Sequence, residues 1–353
     1  MIFDPILDLF RGKAVTIPPL DGALQPNTAL DEAEVVLKAK APDNLCFDGR
    51  RLLFSSATQV FELAGTAVTP AATYEVAVTA LAASPSGKLA TALDDGRILV
   101  GTQQVVMPQG AACPTALTFG DDNTLYICQG SAHHRPSDWV SDLMAKNATG
   151  SVWRIDLPKG SATCLASNLA FPFGVLVAAD KQGLIISESW RHRLLRLPVT
   201  GGAPVPVLSK LPGYPARLAP AAGGGAWLTL FAPRNRLIEF VLQEKEYRLA
   251  MMREVPREYW IAPALSSGSN FLEPLQCGGI KTMGIHKPWS PSRSYGLVAR
   301  LDAAMQPVTS FHSRANGRRH GITSAVEAAG RVLVTAKGGG AILSIGNTSA
   351  GEA

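Results

Sequence analysis

The 353-residue sequence has no apolar run of about 20 residues, so nothing in it predicts a transmembrane helix. Its first stretch, "MIFDPILDLFRGK", lacks the basic start and long apolar core of a secretory signal. Asp4, Pro5 and Gly12 are instead typical of a short capped helix. We therefore expect a soluble, cytoplasmic protein.

Cysteine is scarce, and its spacing matches neither a zinc site nor a redox motif. The five cysteines are scattered, odd in number and without a CxxC pair. Two of them, Cys46 and Cys128, lie inside apolar stretches typical of strands, where a buried thiol is expected. This usage favours a reducing compartment.

Charge is also low, at 17% of residues with a net charge of +5. The basic residues are dispersed except for "RHRLLR" and "RANGRR", and no continuous basic stripe with interleaved aromatics is present. We therefore expect no nucleic-acid partner. The nucleophile-elbow motif, the P-loop and the dinucleotide-binding fingerprint are absent as well. Nothing in the sequence indicates an oligomeric state.

Glycine and proline, by contrast, are abundant, with 33 and 25 residues, and only the N-terminus and a stretch from Asn235 to about Val255 have a helical pattern. An apolar strand, a tight polar turn and a second apolar strand recur six times, and the first three units start 36 residues apart. A four-stranded propeller blade takes roughly 40 residues. The units begin at Asp43, Thr79, Thr115, Phe173, Arg217 and Thr323. The sequence therefore predicts an all-β, single-domain, six-bladed β-propeller over residues 1–353.

The ends of the chain are expected to meet in the last blade. Only three strands follow Thr323, and "AEVVLK" (Ala33–Lys38) can supply the fourth. Such closure removes an exposed sheet edge. Residues 1–32 would then be a helix and lead-in.

The antiparallel order of a blade places the start of its innermost strand and its second-to-third loop on one face. Two long insertions, 130–149 and 232–294, fall in such loops. We expect them to form a lid over a central pocket, since loops on the rim of a rigid scaffold commonly build sites.

Several motifs in order resemble the strictosidine synthase-like propellers, a group related to gluconolactonases and paraoxonases. They include "PPLDGALQPNTALDEAEVVLKAKAPDN", "FPFGVLVAADKQGLIISESWRHRLLRL", "LPGYPARL" and "YGLVARLDAAMQPVTSFHS". The resemblance covers nearly the whole chain. It implies a small-molecule enzyme with a pocket in the central pore.

The resemblance also implies a calcium ion in hydrolytic relatives, and this chain departs from the ligand set. The expected acid is present as Asp43, beside Asn44, but Phe173 stands at the expected asparagine. Ala216 and Arg217 replace the expected Asp-Asn pair. A phenyl ring cannot ligate calcium, which prefers several oxygen ligands. We therefore expect no cofactor; were a metal bound, Asp43 and Asn44 would be its ligands.

Strictosidine synthase itself uses a glutamate at the start of the last blade as acid and base. The matching residue here is Thr323, which cannot exchange protons near neutral pH. The amine–aldehyde condensation is therefore not expected. A shift of one or two residues in the match would leave His320 as the alternative.

Acid–base groups expected on the pocket rim supply the other candidates, because histidine titrates near neutral pH. The candidate catalytic residues are His134, His192, His286 and Glu188. The candidate substrate-binding residues are Asp43, Phe173, Arg217, Trp190, Lys287, Trp289, His320 and Thr323. These residues would suit an anionic or polyhydroxylated small molecule.

Structural roles are the alternative for the same residues. Arg217 would pair with Asp43 across the pore and replace the metal structurally. Trp190 and Trp289 would anchor the lid, and Glu188 would form surface ion pairs with neighbouring arginines.

The leading functional hypothesis is a hydrolase or lactonase without calcium, in which a rim histidine is the base and Arg217 stabilises negative charge. A non-catalytic metabolite-binding propeller is the second hypothesis. A lyase or an enzyme that forms C–C or C–N bonds is the third.

Overall fold

The computed structural model describes residues 16–108, 110–267 and 292–347. Its strands form six antiparallel four-stranded sheets, so the predicted six-bladed β-propeller is confirmed. The predicted N-terminal helix lies outside the described residues.

The strands of each blade run in chain order from the pore outward, except that the outermost strand of blade six comes from near the N-terminus. Blade one is Pro42–Phe47, Leu52–Ser56, Gln59–Ala64 and Ala67–Thr73; blade two is Val78–Ala83, Leu89–Leu93, Ile98–Val100 and Gln103–Gln104. Blade three is Pro114–Asp121, Thr124–Gln129, Gly150–Asp156 and Ser161–Leu169; blade four is Pro172–Val177, Gly183–Glu188, Arg193–Pro198 and Val205–Leu208. Blade five is Gly213–Pro220, Ala226–Pro233, Gly296–Leu301 and Pro307–Ser313; blade six is Ile322–Ala328, Arg331–Ala336, Ala341–Asn347 and Glu34–Lys38.

The ring closes as the sequence predicts. Glu34–Lys38 pairs antiparallel with Ala341–Asn347, from Glu34 opposite Ser344 to Lys38 opposite Ala341. The last blade thus combines strands from both ends of the described chain, and its outer edge is covered.

The described helices are short: α1 (Ala29–Glu32), α2 (Trp139–Ala145), α3 (Arg236–Gln243) and α4 (Lys245–Glu254). Single 3₁₀ turns occupy Gly22–Leu24, Pro136–Asp138, Ser189–Arg191 and Arg257–Tyr259. The helix predicted from Asn235 to about Val255 is present as α3 and α4, separated by Glu244. Asn235 caps α3, since its side chain accepts a hydrogen bond from the backbone N–H of Ile238 at 2.9 Å.

Apolar side chains fill the spaces between neighbouring blades. Val152 of blade three packs with Ile186 and Leu195 of blade four in one cluster, and all three are fully buried. Burying one such side chain stabilises the fold by about 1.5–3 kcal/mol. Side chains on one face of each strand therefore pack against the next blade, and this packing holds the ring together.

A register irregularity recurs where the innermost strands face the pore. In blades two, three, four and six the pairing with the second strand skips Thr79, Thr115, Phe173 and Thr323. Blades one and five have shifts in the same region, beside Asp43 and before Leu218. Such bulges turn a side chain away from the regular pleat. They direct one residue of each blade toward the pore.

Gly174 explains how closely blades four and five approach. A Cβ atom at this position would lie 2.4 Å from the carbonyl oxygen of Ala216, a contact the backbone could not tolerate. The glycine that follows Phe173 therefore lets the two innermost strands meet beside the pore.

Candidate functional site

A cavity of about 270 Å³ lies at the pore mouth, and its lining includes Ser137 and Trp139 of the first insertion and Leu265 of the second. The residues predicted to begin the six innermost strands all line it: Asp43, Thr79, Thr115, Phe173, Arg217 and Thr323. Arg217 does so from within its strand, because blade five's innermost strand begins earlier, at Gly213. The predicted position of the pocket is therefore consistent with the geometry.

The Arg217 guanidinium occupies the centre of the pore floor. Its Nη1 donates to Asp43 Oδ1 at 2.9 Å and to the Thr323 carbonyl oxygen at 3.3 Å. Its Nη2 donates to the carbonyl oxygens of Thr79 at 2.5 Å and Thr115 at 3.2 Å. One side chain from blade five thus bonds to blades one, two, three and six.

Phe173 is the residue of blade four that contacts the Arg217 guanidinium. The centroid of its ring lies 5.0 Å from Arg217 Cζ, a cation–π distance. Phe173, which replaces the expected asparagine, therefore packs on Arg217, one of the two residues that replace the expected Asp-Asn pair. All six blades contribute to this one group.

Asp43 is the anion of the floor, with 4% of its surface exposed. Its carboxylate accepts hydrogen bonds from Arg217, from Lys337 Nζ at 2.8 Å, from the Thr323 hydroxyl at 2.8 Å and from the Asn44 backbone N–H at 2.8 Å. Burial alone would raise the pKa of Asp43, but Arg217 and Lys337 outweigh it and lower the pKa to about 2. A carboxylate held this way is a weak base.

These residues do not fit a calcium ion. The guanidinium stays protonated and already bonds to the carboxylate and carbonyl oxygens that would face a metal. Lys337 adds a second positive charge beside the same Asp43 carboxylate. Among residues 16–108, 110–267 and 292–347, no group of three or more histidine, cysteine, aspartate or glutamate side chains is arranged to hold a metal.

Aromatic rings form one wall of the cavity. Phe173 lies edge-to-face with Phe171 at 5.7 Å and with Phe231 at 5.6 Å between centroids, and Trp139 meets Phe231 at 5.2 Å. All four rings line the cavity. They offer an apolar surface to a ligand.

Two charged lining residues, Asp94 and Lys337, were not predicted from the sequence. Each directly follows the second strand of its blade, after Leu93 and Ala336. The topology that places second-to-third loops at the pocket therefore applies to short loops as well as to the long insertions. Both oxygens of Asp94 accept hydrogen bonds from Ser137, one from its N–H and one from its hydroxyl, each at 2.8 Å.

Glu188, a predicted catalytic residue, does not line the cavity formed by the described residues. Its carboxylate is fully buried and bonds to the Ala170 backbone N–H, to Arg191 at 2.8 Å and to Arg193 at 2.5 Å. These are not surface ion pairs, since the anion has no exposure. The contacts describe a structural role in blade four.

His192 also lies away from the cavity. Its ring is buried against Tyr214, its Nδ1 is 3.2 Å from the Gly213 carbonyl oxygen, and its Nε2 is 3.4 Å from Glu239. Burial lowers the pKa of His192, although Glu239 opposes the shift. Glu239 also pairs with Arg234. This network ties α3 to the propeller.

His134 and Trp190 meet at a buried carboxylate, Asp142. Asp142 accepts hydrogen bonds from Trp190 Nε1 at 2.8 Å and from Asn147 at 2.9 Å, and its Oδ1 lies 3.1 Å from His134 Nδ1. Trp190 also stacks on Phe171 at 4.4 Å. Trp190 therefore anchors the 130–149 insertion to blade four, and neither it nor His134 lines the cavity formed by the described residues.

His320 is buried below the rim, with its Nδ1 2.7 Å from the Ser294 hydroxyl and its Nε2 2.7 Å from the Arg314 carbonyl oxygen. It does not appear among the described lining residues, whereas its neighbour Thr323 does. The remaining candidates, His286, Lys287 and Trp289, lie outside the described residues.

Comparison with known proteins agrees with the motifs. A family model described as strictosidine synthase matches residues 115–201, which span blade three and most of blade four. The adipocyte plasma membrane-associated protein of Danio rerio is 26% identical over 117 residues, or 32% of this chain and 28% of that protein. Strictosidine synthase-like protein 10 of Arabidopsis thaliana is 23% identical over 134 residues, or 37% of this chain and 36% of that protein.

The resemblance to the strictosidine synthase-like propellers is confirmed. These matches span about a third of the length of the curated relatives. Among solved structures, a gluconolactonase from Xanthomonas campestris superposes with a TM-score of 0.54 at 14% identity, covering 90% of this chain and 87% of that one. A luciferin-regenerating enzyme gives 0.51 at 12% identity, with 84% of each chain covered. At these identities the structural likeness shows the fold alone. No described helix is long and apolar enough to cross a membrane.

Proposed function

We propose that this strictosidine synthase-like propeller binds a small molecule that has one anionic group and an apolar body, and that Lys337 receives the anion. The observation that carries the proposal is that the ammonium-bearing Lys337 and four aromatic side chains line the same cavity. An ammonium has three donors, and among the described residues Lys337 Nζ bonds only to Asp43. Two of its donors are left for a ligand.

Arg217 is less suited to receive the anion. Both of its terminal nitrogens already make two hydrogen bonds each to the floor. Its Nε is buried and has no partner among the described residues. Arg217 therefore adds positive potential to the cavity floor, while Lys337 offers the free donors.

The cavity's size and lining restrict the rest of the ligand. Its volume of about 270 Å³ lies below the range of roughly 300–1,000 Å³ typical of drug-sized ligands, which favours a small metabolite. Trp139, Phe171, Phe173 and Phe231 favour an apolar or aromatic body. Asp94, the second lining carboxylate, is engaged by Ser137, which reduces its repulsion of an anion.

The described residues favour the binding hypothesis over hydrolysis. Asp43 is the carboxylate nearest the pore centre, and its lowered pKa makes it a poor base. Glu188, His192, His134 and His320 lie away from the cavity that the described residues form. Binding needs only the charge and shape present there.

A titration with phenylacetate, a small aromatic carboxylate, tests the proposal. We expect measurable binding by calorimetry and at least about tenfold weaker binding to the Lys337→Met variant, since a charge-assisted hydrogen bond is lost. Lys88→Met, a lysine away from the pore, is the matched control. Benzyl alcohol, which lacks the charge, should bind the wild type no better than it binds Lys337→Met. Equal phenylacetate affinity in the wild type and Lys337→Met would overturn the proposal.

Hydrolysis of a lactone or ester is a second candidate because of the guanidinium at the pore centre. A fixed cation there would polarise a carbonyl oxygen, as a metal ion does. The base predicted for this reaction is a rim histidine; His134 and His192 do not line the cavity of the described residues, and the third candidate, His286, lies outside those residues. A screen with lactones and aryl esters, with and without EDTA, should then show EDTA-resistant turnover that His286→Ala abolishes. Turnover abolished by EDTA would contradict a metal-free mechanism.

A further inference from the structure

Four oxygen atoms from four blades converge on one point of the pore. They are Asp43 Oδ1 and the carbonyl oxygens of Thr79, Thr115 and Thr323, and together they form the pore oxygen cage. We infer that the pore oxygen cage is a cation site that the chain fills with its own guanidinium, and that it accepts free guanidinium when the Arg217 side chain is removed. This cation site is independent of what the cavity above binds.

The geometry matches a planar, forked cation. Nη1 of Arg217 bonds to Asp43 and Thr323, and Nη2 bonds to Thr79 and Thr115, at distances of 2.5–3.3 Å. Four donors thus meet four acceptors from one flat group. The guanidinium carbon lies over the Phe173 ring, 5.0 Å from the ring centroid.

The propeller strands, and not Arg217, hold the cage oxygens in position. Three of its oxygens are backbone atoms in or beside innermost strands, held by the sheets of blades two, three and six. Asp43 is held separately by Lys337, the Thr323 hydroxyl and its neighbour's N–H. Truncating Arg217 therefore leaves the oxygens in place but removes the four hydrogen bonds that the guanidinium donates to them.

The cage selects guanidinium over calcium. It offers one carboxylate oxygen and three neutral carbonyls, fewer than the six to eight oxygens that calcium takes. Lys337 lies 2.8 Å from the same carboxylate and would repel a dication more strongly than a monocation. A ring face, here Phe173, also suits a flat organic cation.

Chemical rescue of the Arg217→Ala variant tests the inference. We expect this variant to melt several degrees below the wild type, and about 10 mM guanidinium chloride, well below denaturing concentrations, to restore a large part of that loss. Sodium chloride at equal ionic strength should restore none of it. Calcium chloride should restore less than guanidinium does. Arg196→Ala, which removes a surface arginine paired with Asp180, is the matched control and should not respond.

Two outcomes would overturn the inference. One is a guanidinium response of Arg217→Ala no larger than that of the wild type or of Arg196→Ala. The other is stronger rescue by calcium. If Arg217→Ala does not fold, the melting temperature of Arg217→Lys tests the inference instead. Lysine keeps the positive charge but cannot reach four oxygens. We therefore expect Arg217→Lys to melt several degrees below the wild type. A melting temperature equal to that of the wild type would show that charge alone matters, and would overturn the inference.

Discussion

The guanidinium carbon of Arg217 lies over the ring of Phe173, 5.0 Å from the ring centroid. Each replaces a residue expected to bind calcium in hydrolytic relatives, and in this chain the two contact each other. The arginine supplies the charge at the pore centre, and the ring packs beside it at a cation–π distance. This contact gives Phe173, the second residue of the innermost strand of blade four, a role at the pore.

Replacing Phe173 should destabilise the fold through both the cation and the neighbouring rings. We expect Phe173→Leu to lower the free energy of unfolding by about 1–3 kcal/mol, since one cation–π contact and two ring pairs are lost. Urea unfolding measures this change. Phe61→Leu removes one ring pair with Phe54, and among the described residues no cation–π contact, so this control should lower the free energy of unfolding less. An equal or smaller loss for Phe173→Leu would contradict a stabilising role for the Arg217–Phe173 contact.

Asp43 should make stability fall in acid. Its pKa is lowered from 3.8 to about 2 in the folded protein, so the unfolded chain binds a proton first as pH decreases. The stabilisation is fully present above about pH 4 and is lost as pH falls toward 2, by about 2 kcal/mol. We expect the gap in unfolding free energy between wild type and Asp43→Asn to shrink by that amount from pH 5 to 2.

The control for this pH dependence is Lys181→Ala, which replaces an exposed lysine in a turn. The difference in unfolding free energy between this variant and the wild type should change little from pH 5 to 2. A constant gap between wild type and Asp43→Asn would mean that Asp43 titrates normally in the folded protein. That result would contradict the ion pairs described at the pore.

Asp142 should hold the 130–149 insertion in place. It is almost fully buried and accepts bonds from Trp190 and Asn147 beside His134. The Asp142→Ala substitution should lower the free energy of unfolding by about 2–4 kcal/mol, because buried donors lose their partner. We also expect faster proteolysis within 130–149. Asp138→Ala, a more exposed residue of the same insertion, is the control. Equal cleavage of both variants would argue against Asp142 as the anchor.

The blades could be predicted from the sequence because each is a local strand–turn–strand repeat with its own apolar pattern. Closure by Glu34–Lys38 followed from counting strands in the last unit. The split between α3 and α4 at Glu244 was not predicted, although four consecutive polar residues, Gln243 to Glu246, interrupt the apolar spacing there. The repeated local pattern thus predicted the blades but not this break.

The pore floor was largely predictable, because topology alone brings Asp43, Phe173 and Arg217 together. The orientation of other side chains was not. Glu188 ends a strand at the pocket face, yet its carboxylate turns inward to the Ala170 N–H and two arginines. Lys337 occupies a comparable position after its strand and lines the cavity. Sequence position identifies the face of the propeller, but packing decides where a side chain points.

Arg217 lies at the position in the pore where hydrolytic relatives are expected to hold a metal ion. The most direct test is elemental analysis of wild-type protein purified without chelator, paired with melting curves in calcium and in EDTA. We predict no stoichiometric calcium and the same melting temperature in both. One calcium per chain that survives gel filtration, with a melting temperature lowered by EDTA, would contradict the account.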